Sequence, residues 1–424
     1  MSELALLGGT PTRNVETDPW TRWPTFDERE EQGLIEVLRS GIWSYNGPKE
    51  QEFCREFAAF IGSRYALCAA NGTVTLQLAL EACQVGLGDE VIVPGLTWQA
   101  TAASVLDVNA TPILVDVCED TWCIDPNEIE QAISPRTKAI IPVHLYGSFA
   151  DMNAIMEIAK RHRLFVIEDC AHKHGAEWNG RKAGSIGDIG SFSFQLSKLM
   201  TAGEGGALTT SSPHLFARLD ALRNCGRRPE GVEDYEKGAG IYGSEGNFVQ
   251  SGNYRITDFQ AALLLESLRR LPQQNLLRDQ NAKYLNQLLA EIPGIAPMHR
   301  DDRETLEAYY NIAFRFHSEA FKGLGVQTFR SALQAELGST VEGCYEPLNR
   351  CELYTPQTKP SRHRLSAEYW EAIAPAMFKL PNCERAYDNE SVCLHFAILM
   401  GPRSDMEQIA DAIKKIHRHA EDLT

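Results

Sequence analysis

One lysine of this 424-residue sequence lies between two apolar segments that have the pattern of buried strands. Lys198 follows the segment 191–195 and precedes a glycine-rich turn at 203–206, after which residues 207–210 form the second apolar segment. A lysine held in a tight pocket has a lowered pKa, and its neutral amine attacks aldehydes to form a Schiff base. A lone lysine is more often an exposed loop residue. The chemistry of Lys198 therefore depends on what surrounds it.

Two carboxylates end another apolar segment, at residues 164–169. In a parallel sheet the ligand lies beyond the carboxyl ends of the strands, so Glu168 and Asp169 are placed at a ligand-binding edge. A carboxylate there can keep the nitrogen of a bound pyridine ring protonated, and we assign this task to Asp169. The alternative for Asp169 is a helix N-cap. His172 follows shortly after Asp169, and we expect it to be one of the residues that bind the cofactor.

A third segment has the pattern of a phosphate-binding helix start. Gly72 and Thr73 open a predicted helix directly after a strand, where free N–H groups and the helix dipole favour an anion. Ser193, in the strand before Lys198, could add a further hydroxyl. Trp98 lies just beyond another predicted strand end, where its indole can stack on a flat ring. Core packing is the alternative for Trp98.

Together these segments supply a phosphate cradle, a stacking face, a partner for a ring nitrogen and a Schiff-base lysine. Each stands at the end of a predicted strand. Pyridoxal 5′-phosphate is the cofactor that needs all four, so the sequence predicts an enzyme that uses it.

The elements that must position these residues alternate between strand and helix patterns. The strands, such as residues 90–94 and 111–117, are nearly continuous apolar runs, which is typical of strands buried on both faces. The fold class is therefore α/β, with a mostly parallel central sheet flanked by helices. We predict a large domain at residues 1–270, including the N-terminal arm, and a smaller C-terminal α/β domain at 271–424. A glycine-rich segment at 231–247 is predicted to be a loop.

The composition narrows the class of protein and its partners. A net charge of −16 without a basic cluster argues against nucleic-acid binding. The 11 cysteines show no CxxC pair, and several lie in apolar runs, so neither a disulfide framework nor a metal site is expected. No segment is long and apolar enough to suggest membrane association, and the sequence begins without the pattern of a signal peptide. The expected location is the cytoplasm.

These motifs and their order resemble those of the DegT/DnrJ/EryC1/StrS aminotransferase family. The resemblance covers nearly the whole chain and includes NGTVTLQLAL, GDEVIVPGLTWQATA, IEDCAHKHGA, GDIGSFSFQLSKLMTAGEGGAL and GNYRITDFQAALL. It implies the fold of the type-I pyridoxal-phosphate transferases, with catalytic Lys198 joined to the cofactor and Asp169 on its ring nitrogen. It also implies a homodimer with shared active sites, in which Asn253 completes the phosphate pocket of the partner subunit.

Within the family, the blocks LTWQATA, EDCAHKHGA and LRNCGR are most similar to the cyclitol branch. The resemblance implies transfer of the amino group of L-glutamine to the ketone of 2-deoxy-scyllo-inosose or scyllo-inosose, in aminoglycoside antibiotic biosynthesis. A nucleotide-ketosugar aminotransferase and a dehydratase similar to 3-amino-5-hydroxybenzoate synthase are the alternatives. A cofactor-binding regulator without turnover is a third, disfavoured because Lys198 and Asp169 are both present. The residues expected to contact the substrates are His144, Tyr146, Arg255, Tyr345 and His395.

Overall fold

The computed structural model describes residues 3–227, 248–358 and 366–424. The glycine-rich segment 231–247, which we predicted to be a loop, lies outside these residues. The helices are α1 Glu28–Ser40, α2 Pro48–Ile61, α3 Gly72–Ala82, α4 Ala100–Asp107, α5 Pro126–Ala132, α6 Met152–His162, α7 Pro213–Arg223, α8 Asp258–Ala290, α9 Val326–Leu337, α10 Ala367–Ala372, α11 Pro381–Arg385 and α12 Arg403–Arg418.

The strands of the described residues fall into three sheets. They are β1 Tyr65–Ala69, β2 Glu90–Pro94, β3 Thr111–Val115, β4 Thr137–Ile140, β5 Phe165–Asp169, β6 Glu177–Trp178, β7 Arg181–Lys182, β8 Ile189–Ser193, β9 Gly206–Thr210, β10 Ile295–Pro297, β11 Glu304–Leu306, β12 Asn311–Phe316, β13 Val341–Glu342 and β14 Ser391–His395.

The central sheet has the strand order β1-β9-β8-β5-β4-β2-β3. All its neighbouring strands pair in parallel except β9, which runs antiparallel to both β1 and β8. The antiparallel pairing is in accord with the connection between β8 and β9, residues 194–205, which contains no helix, whereas a parallel return is usually made through a helical crossover. The predicted α/β class with a mostly parallel sheet is confirmed.

Local sequence explains why the helices begin where the site needs them. Asn71 caps α3, and its side chain accepts a hydrogen bond from the amide of Val74 at 3.0 Å. Thr257 and Gln260 form a capping box at the start of α8.

The sequence pattern changes at Pro272, but α8 continues through this residue to a length of 33 residues. The helix packs against α1, α2 and α12, which offsets the hydrogen bond that the proline removes.

A second sheet is formed by strands that follow α8 in the sequence. Its strand order is β10-β12-β14-β13, and all of its neighbouring strands pair antiparallel. The N-terminal arm packs here: Leu4 is fully buried in this part of the core, and Arg13 binds Asp405 of α12 at 2.8 Å. The predicted domain boundary at residue 270 falls within α8, so the division into 1–270 and 271–424 stays a prediction. Among the described helices, none combines the length and hydropathy that crossing a membrane requires.

Candidate functional site

A cavity of about 630 Å³ opens at the carboxyl ends of β5 and β8, beside the first turn of α3. Several residues singled out from the sequence line it, although they come from separate segments of the chain. They are Gly72, Thr73, Trp98, Asp169, His172, Ser193, Lys198 and Tyr345. The fold therefore gathers the predicted cofactor-binding residues, except Asn253, around one space.

Lys198 projects from the turn between β8 and β9. Its amide donates to the carbonyl of Gln195 at 2.9 Å, and its Nζ lies 4.2 Å from the ring centroid of Tyr310. Burial lowers the pKa of Lys198 to about 8, and the charge of Asp169 opposes this shift. A lowered pKa increases the neutral fraction of this amine near neutral pH, which is the form that acts as a nucleophile or a base.

Asp169 ends β5 inside the same cavity. Its Oδ2 accepts from the hydroxyl of Thr101 at 3.0 Å, and its Oδ1 accepts from the amide of Ala171 at 3.2 Å. Burial raises the pKa of Asp169, while these two donors and the charge of Lys198 lower it. The side chain is thus fixed by donors that favour its anionic form, as a partner for a positively charged ring nitrogen requires.

The first turn of α3 forms an anion cradle against β8. The amides of Gly72 and Thr73 stand at helix positions without an intrahelical acceptor. A Cβ at position 72 would lie 2.6 Å from the Cβ of Ser193, so only glycine permits this approach. The hydroxyl-bearing residues Thr73 and Ser193 both line the cavity here. The cradle has the donors that a phosphate group needs.

Aromatic rings form another part of the cavity wall. His172 stacks on Tyr310 at 3.8 Å between ring centroids, and its Nε2 lies 3.3 Å from the hydroxyl of Tyr345. Its Nδ1 accepts from the amide of Tyr146 at 3.2 Å, and burial lowers the pKa of His172 well below its usual range. The ring is therefore neutral and donates from Nε2. The Trp98 side chain is 48% exposed and leans against Tyr345, leaving an indole face open to the cavity.

Three of the residues expected to contact the substrate do not line the cavity. His144 is fully buried, with Nε2 on Glu168 at 3.2 Å and Nδ1 accepting from the amide of Ala150. Tyr146 is buried behind His172, and its hydroxyl accepts from the amide of Tyr345 at 2.9 Å. His395 accepts from the amide of Ala397, two residues along the chain. These three residues were expected from their hydrogen-bonding chemistry, and the sequence could not show the contacts that each side chain makes within the fold.

Two further predicted residues are absent from the cavity lining. Asn253 is exposed, and its side chain accepts from the amide of Arg255 at 3.2 Å. Arg255 donates to Asn224 at 2.6 Å and lies over the ring of Tyr45. Neither lines the cavity of its own chain. Among the described residues that line the cavity, Lys198 is the only lysine or arginine.

Sequence reasoning missed several residues that line the cavity. Thr101 follows Trp98 by three residues, a helical spacing that could have indicated a shared face. No sequence pattern indicated Tyr310 as a site residue, because the long-range packing of the segment before β12 is what brings it to Lys198. The hydroxyl of Tyr310 lies 3.0 Å from that of Ser197, which donates to the side chain of Gln195.

His144, Glu168 and Cys170 bring potential metal-ligand atoms within 4.8 Å of one another. These atoms are already engaged, since the carboxylate of Glu168 accepts from the amides of Gly184, Ile186 and Gly187 as well as facing His144. The cluster is a hydrogen-bonded support beneath Asp169.

Comparison with known proteins supports the chemistry of this site. Residues 24–392 match the sequence model of the DegT/DnrJ/EryC1/StrS aminotransferase family. The chain is 44% identical to the L-glutamine:2-deoxy-scyllo-inosose aminotransferase of Streptoalloteichus tenebrarius, over 99% of both proteins. It is 40% identical to the L-glutamine:scyllo-inosose aminotransferase of Streptomyces griseus, over 98% of this chain and 97% of that one. The crystal structure of 3-amino-5-hydroxybenzoic acid synthase is similar, with a TM-score of 0.80 and 32% identity over 94% of this chain and 99% of the other.

Proposed function

The chain belongs to the DegT/DnrJ/EryC1/StrS aminotransferase family, and we propose that it transfers the amino group of L-glutamine to the ketone of a cyclitol in aminoglycoside antibiotic biosynthesis. The proposed acceptor is 2-deoxy-scyllo-inosose or scyllo-inosose, in accord with the names of the full-length relatives. The observation that carries the proposal is the single cavity in which Lys198, its pKa lowered to about 8, lies with Asp169.

Pyridoxal phosphate is the cofactor of this aminotransferase, and the residues present fit it. The cradle at Gly72, Thr73 and Ser193 would hold the phosphate, and the carboxylate of Asp169 would hold the ring nitrogen. Trp98 would stack on the ring, and Lys198 would carry the aldehyde carbon. When bound, the cofactor supplies an electron sink for the carbon from which a proton is removed.

The chain's own residues perform the proton transfers. The Nζ of Lys198 is the base that removes the α-proton of bound L-glutamine, a step for which an amine with a pKa near the working pH is suited. Thr101 and the amide of Ala171 hold the carboxylate of Asp169 in orientation and oppose the rise in its pKa that burial causes. His172 stays neutral, so it binds by donating a hydrogen bond and adds no positive charge beside Lys198.

The remaining lining suits a neutral acceptor rich in hydroxyl groups. Gln195, Ser197, Tyr310 and Tyr345 offer hydroxyl and amide groups that donate and accept. The carboxylate of L-glutamine needs a cation, and we propose that Arg255 of the partner subunit supplies it, because Lys198 is already committed to chemistry.

A coupled assay tests this function. The purified protein is given L-glutamine with 2-deoxy-scyllo-inosose, with scyllo-inosose, or with a dTDP-ketohexose, and the aminated product is measured. We expect amination of at least one inosose. Activity on the nucleotide sugar alone would instead support the nucleotide-ketosugar alternative. Loss of water from a substrate without any amino donor would support the dehydratase alternative.

One structural observation weakens the nucleotide-sugar alternative. The sequence Tyr345-Glu346-Pro347-Leu348-Asn349 ends in asparagine where many nucleotide-sugar relatives have histidine. Asn349 donates to Glu384 at 2.7 Å and to the carbonyl of Phe378 at 3.1 Å, and it does not line the cavity. These two hydrogen bonds fix the position of the segment 345–349, so the side chain of Asn349 has a structural role.

Gly72→Ala is expected to weaken cofactor binding by about tenfold or more, because the added methyl group displaces Ser193 and costs part of the cradle's hydrogen bonding. Titration of the apoprotein with pyridoxal phosphate, followed by absorbance, measures the change. Gly325→Ala is the control, since a Cβ there meets no atom within 4 Å. Equal affinity in both variants would contradict the assignment of the cradle.

We further propose that the functional unit is a homodimer with shared sites. Exposed apolar side chains on α1 and the segment after it support this, notably Leu38, Ile42 and Trp43, which are 49–57% exposed. A patch of this kind is typical of a surface covered by a partner. The proposed role of Asn253, to complete the phosphate pocket of the partner, is in accord with its exposure.

Mixing two inactive variants is expected to restore activity. Lys198→Ala and Asn253→Ala chains, unfolded together, refolded as an equal mixture and assayed at a cofactor concentration at which Asn253→Ala alone is inactive, should regain about a quarter of wild-type turnover, since half the dimers are mixed and each holds one intact site. Each variant refolded alone is the control. A mixture no more active than its parts would contradict the shared site.

The proposed setting is the cytoplasm, and the proposed domains are residues 1–270 and 271–424. All 11 cysteines are free, including Cys54 and Cys68, whose sulfurs lie 3.6 Å apart without a bond. Free thiols at this distance are in accord with a reducing compartment.

A further inference from the structure

Lys173 and Glu307 form an ion pair whose side chains are both fully buried, at 0% exposure. The Nζ of Lys173 also donates to the carbonyl of Tyr146 at 3.1 Å. The carboxylate of Glu307 also accepts from the amides of Ala308 and Tyr309, at 2.6 and 3.2 Å. A buried ion pair is weak evidence for stability, because an apolar pair of similar volume often serves as well. Its contacts therefore suggest another role.

The ion pair is hydrogen-bonded to two residues whose backbone is strained. Tyr146 and Tyr309 have φ angles of 49° and 52°, in the left-handed region that bulky residues seldom adopt. Lys173 binds the carbonyl of the first, and Glu307 binds the amide of the second. Such strain persists only where surrounding contacts hold it, and it is concentrated at functional sites.

Both strained turns lead to the aromatic wall of the cavity. The ring of Tyr146 stacks with His172 at 5.6 Å, and its amide donates to Nδ1 of the same histidine. Tyr309 is followed by Tyr310, whose ring stacks on His172 at 3.8 Å and lies 4.2 Å from the Nζ of Lys198. A shift of either turn would therefore move the groups beside Lys198.

We propose that Lys173 and Glu307 are positioning residues, which fix the turns at Tyr146 and Tyr309 so that His172 and Tyr310 stay aligned beside Lys198. The inference rests on the proposed function for its kinetic readout. Its spectroscopic readout needs only the bound cofactor, so failure of one proposal is distinguishable from failure of the other.

The test is the double variant Lys173→Met/Glu307→Gln in the holoenzyme. It leaves no unpaired charge, and the introduced amide side chain retains an oxygen for the amides of Ala308 and Tyr309, whereas the bond to the carbonyl of Tyr146 is lost. We expect the visible circular dichroism of the bound cofactor to change in amplitude without substrate. We also expect kcat to fall on the order of 10- to 100-fold, the scale expected when positioned groups move by about 1 Å.

Lys415→Met/Glu336→Gln is the matched control, because it removes a lysine–glutamate pair between α12 and α9 that does not line the cavity. We expect the control to lower the melting temperature and leave the dichroism unchanged. A folded Lys173→Met/Glu307→Gln protein with wild-type dichroism and kinetics would overturn the proposal. If that protein does not fold, the Glu307→Asp variant, which keeps both charges but withdraws the carboxylate from the amides of Ala308 and Tyr309, decides by the same two measurements, and an unchanged result overturns the proposal.

Discussion

Lys198→Ala is expected to lower turnover by about 10⁴-fold or more, at or beyond the upper end of what one positioned acid–base group contributes. The variant loses both the amine that carries the cofactor and the base that removes the α-proton of L-glutamine. The visible absorption of cofactor joined to the protein should disappear with the activity. Turnover is measured with saturating substrates, and the spectrum is recorded on the same sample.

Lys138→Ala is the control for this prediction, because Lys138 is an exposed lysine on β4. Its activity and spectrum should match the wild type. Residual turnover above one hundredth of the wild type in Lys198→Ala would contradict the assigned role. So would an unchanged spectrum, which would mean that the cofactor is carried elsewhere.

Asp169→Asn is expected to lower turnover on the order of 10²–10³-fold, the effect of removing one preorganised electrostatic group. The amide keeps the size of the side chain and can still accept from Thr101, but it has no charge to keep a ring nitrogen protonated. Cofactor should still bind through the cradle and Lys198. The measurement therefore compares kcat with the cofactor dissociation constant, and only kcat should change strongly.

A second, partly buried carboxyl group provides the comparison for Asp169→Asn. Asp188 precedes β8 at the strand end opposite to the cavity, and its carboxylate accepts from the amide of Val166 at 2.8 Å. Asp188→Asn should lower the melting temperature with little effect on kcat. If the two variants lost the same activity, the effect at Asp169 would be one of stability, and its proposed partnership with the ring nitrogen would fail.

The sequence predicted those parts of the site that depend on strand ends. Apolar segments bounded by turn residues located β5 and β8, and topology then required Asp169, Ser193 and Lys198 to share one edge of the sheet. Gly72 and Thr73 followed from the same rule, since they open the helix after β1. Each of these residues is placed by its own element, and local pattern is enough to find such residues.

The aromatic wall could not be predicted in this way. Tyr310 and His172 meet across 138 positions of sequence, and their stacking depends on buried contacts such as Lys173 with Glu307. His144, chosen for its hydrogen-bonding chemistry, lies against Glu168, a buried contact that the sequence pattern does not indicate. Local pattern places a residue on an element but does not determine its long-range partners.

The N-terminal arm has a consequence for how the chain is made. Glu336 of α9 accepts from the amide of Ala5 at 2.8 Å, and Arg13 binds Asp405 of α12, 392 positions away. The contacts of the arm with α12 therefore cannot form until the last helix of the chain has been synthesised. Contacts of such sequence separation form late and leave intermediates open to aggregation. Correct assembly of this enzyme in a cell would thus be sensitive to chaperone supply and to the rate of translation.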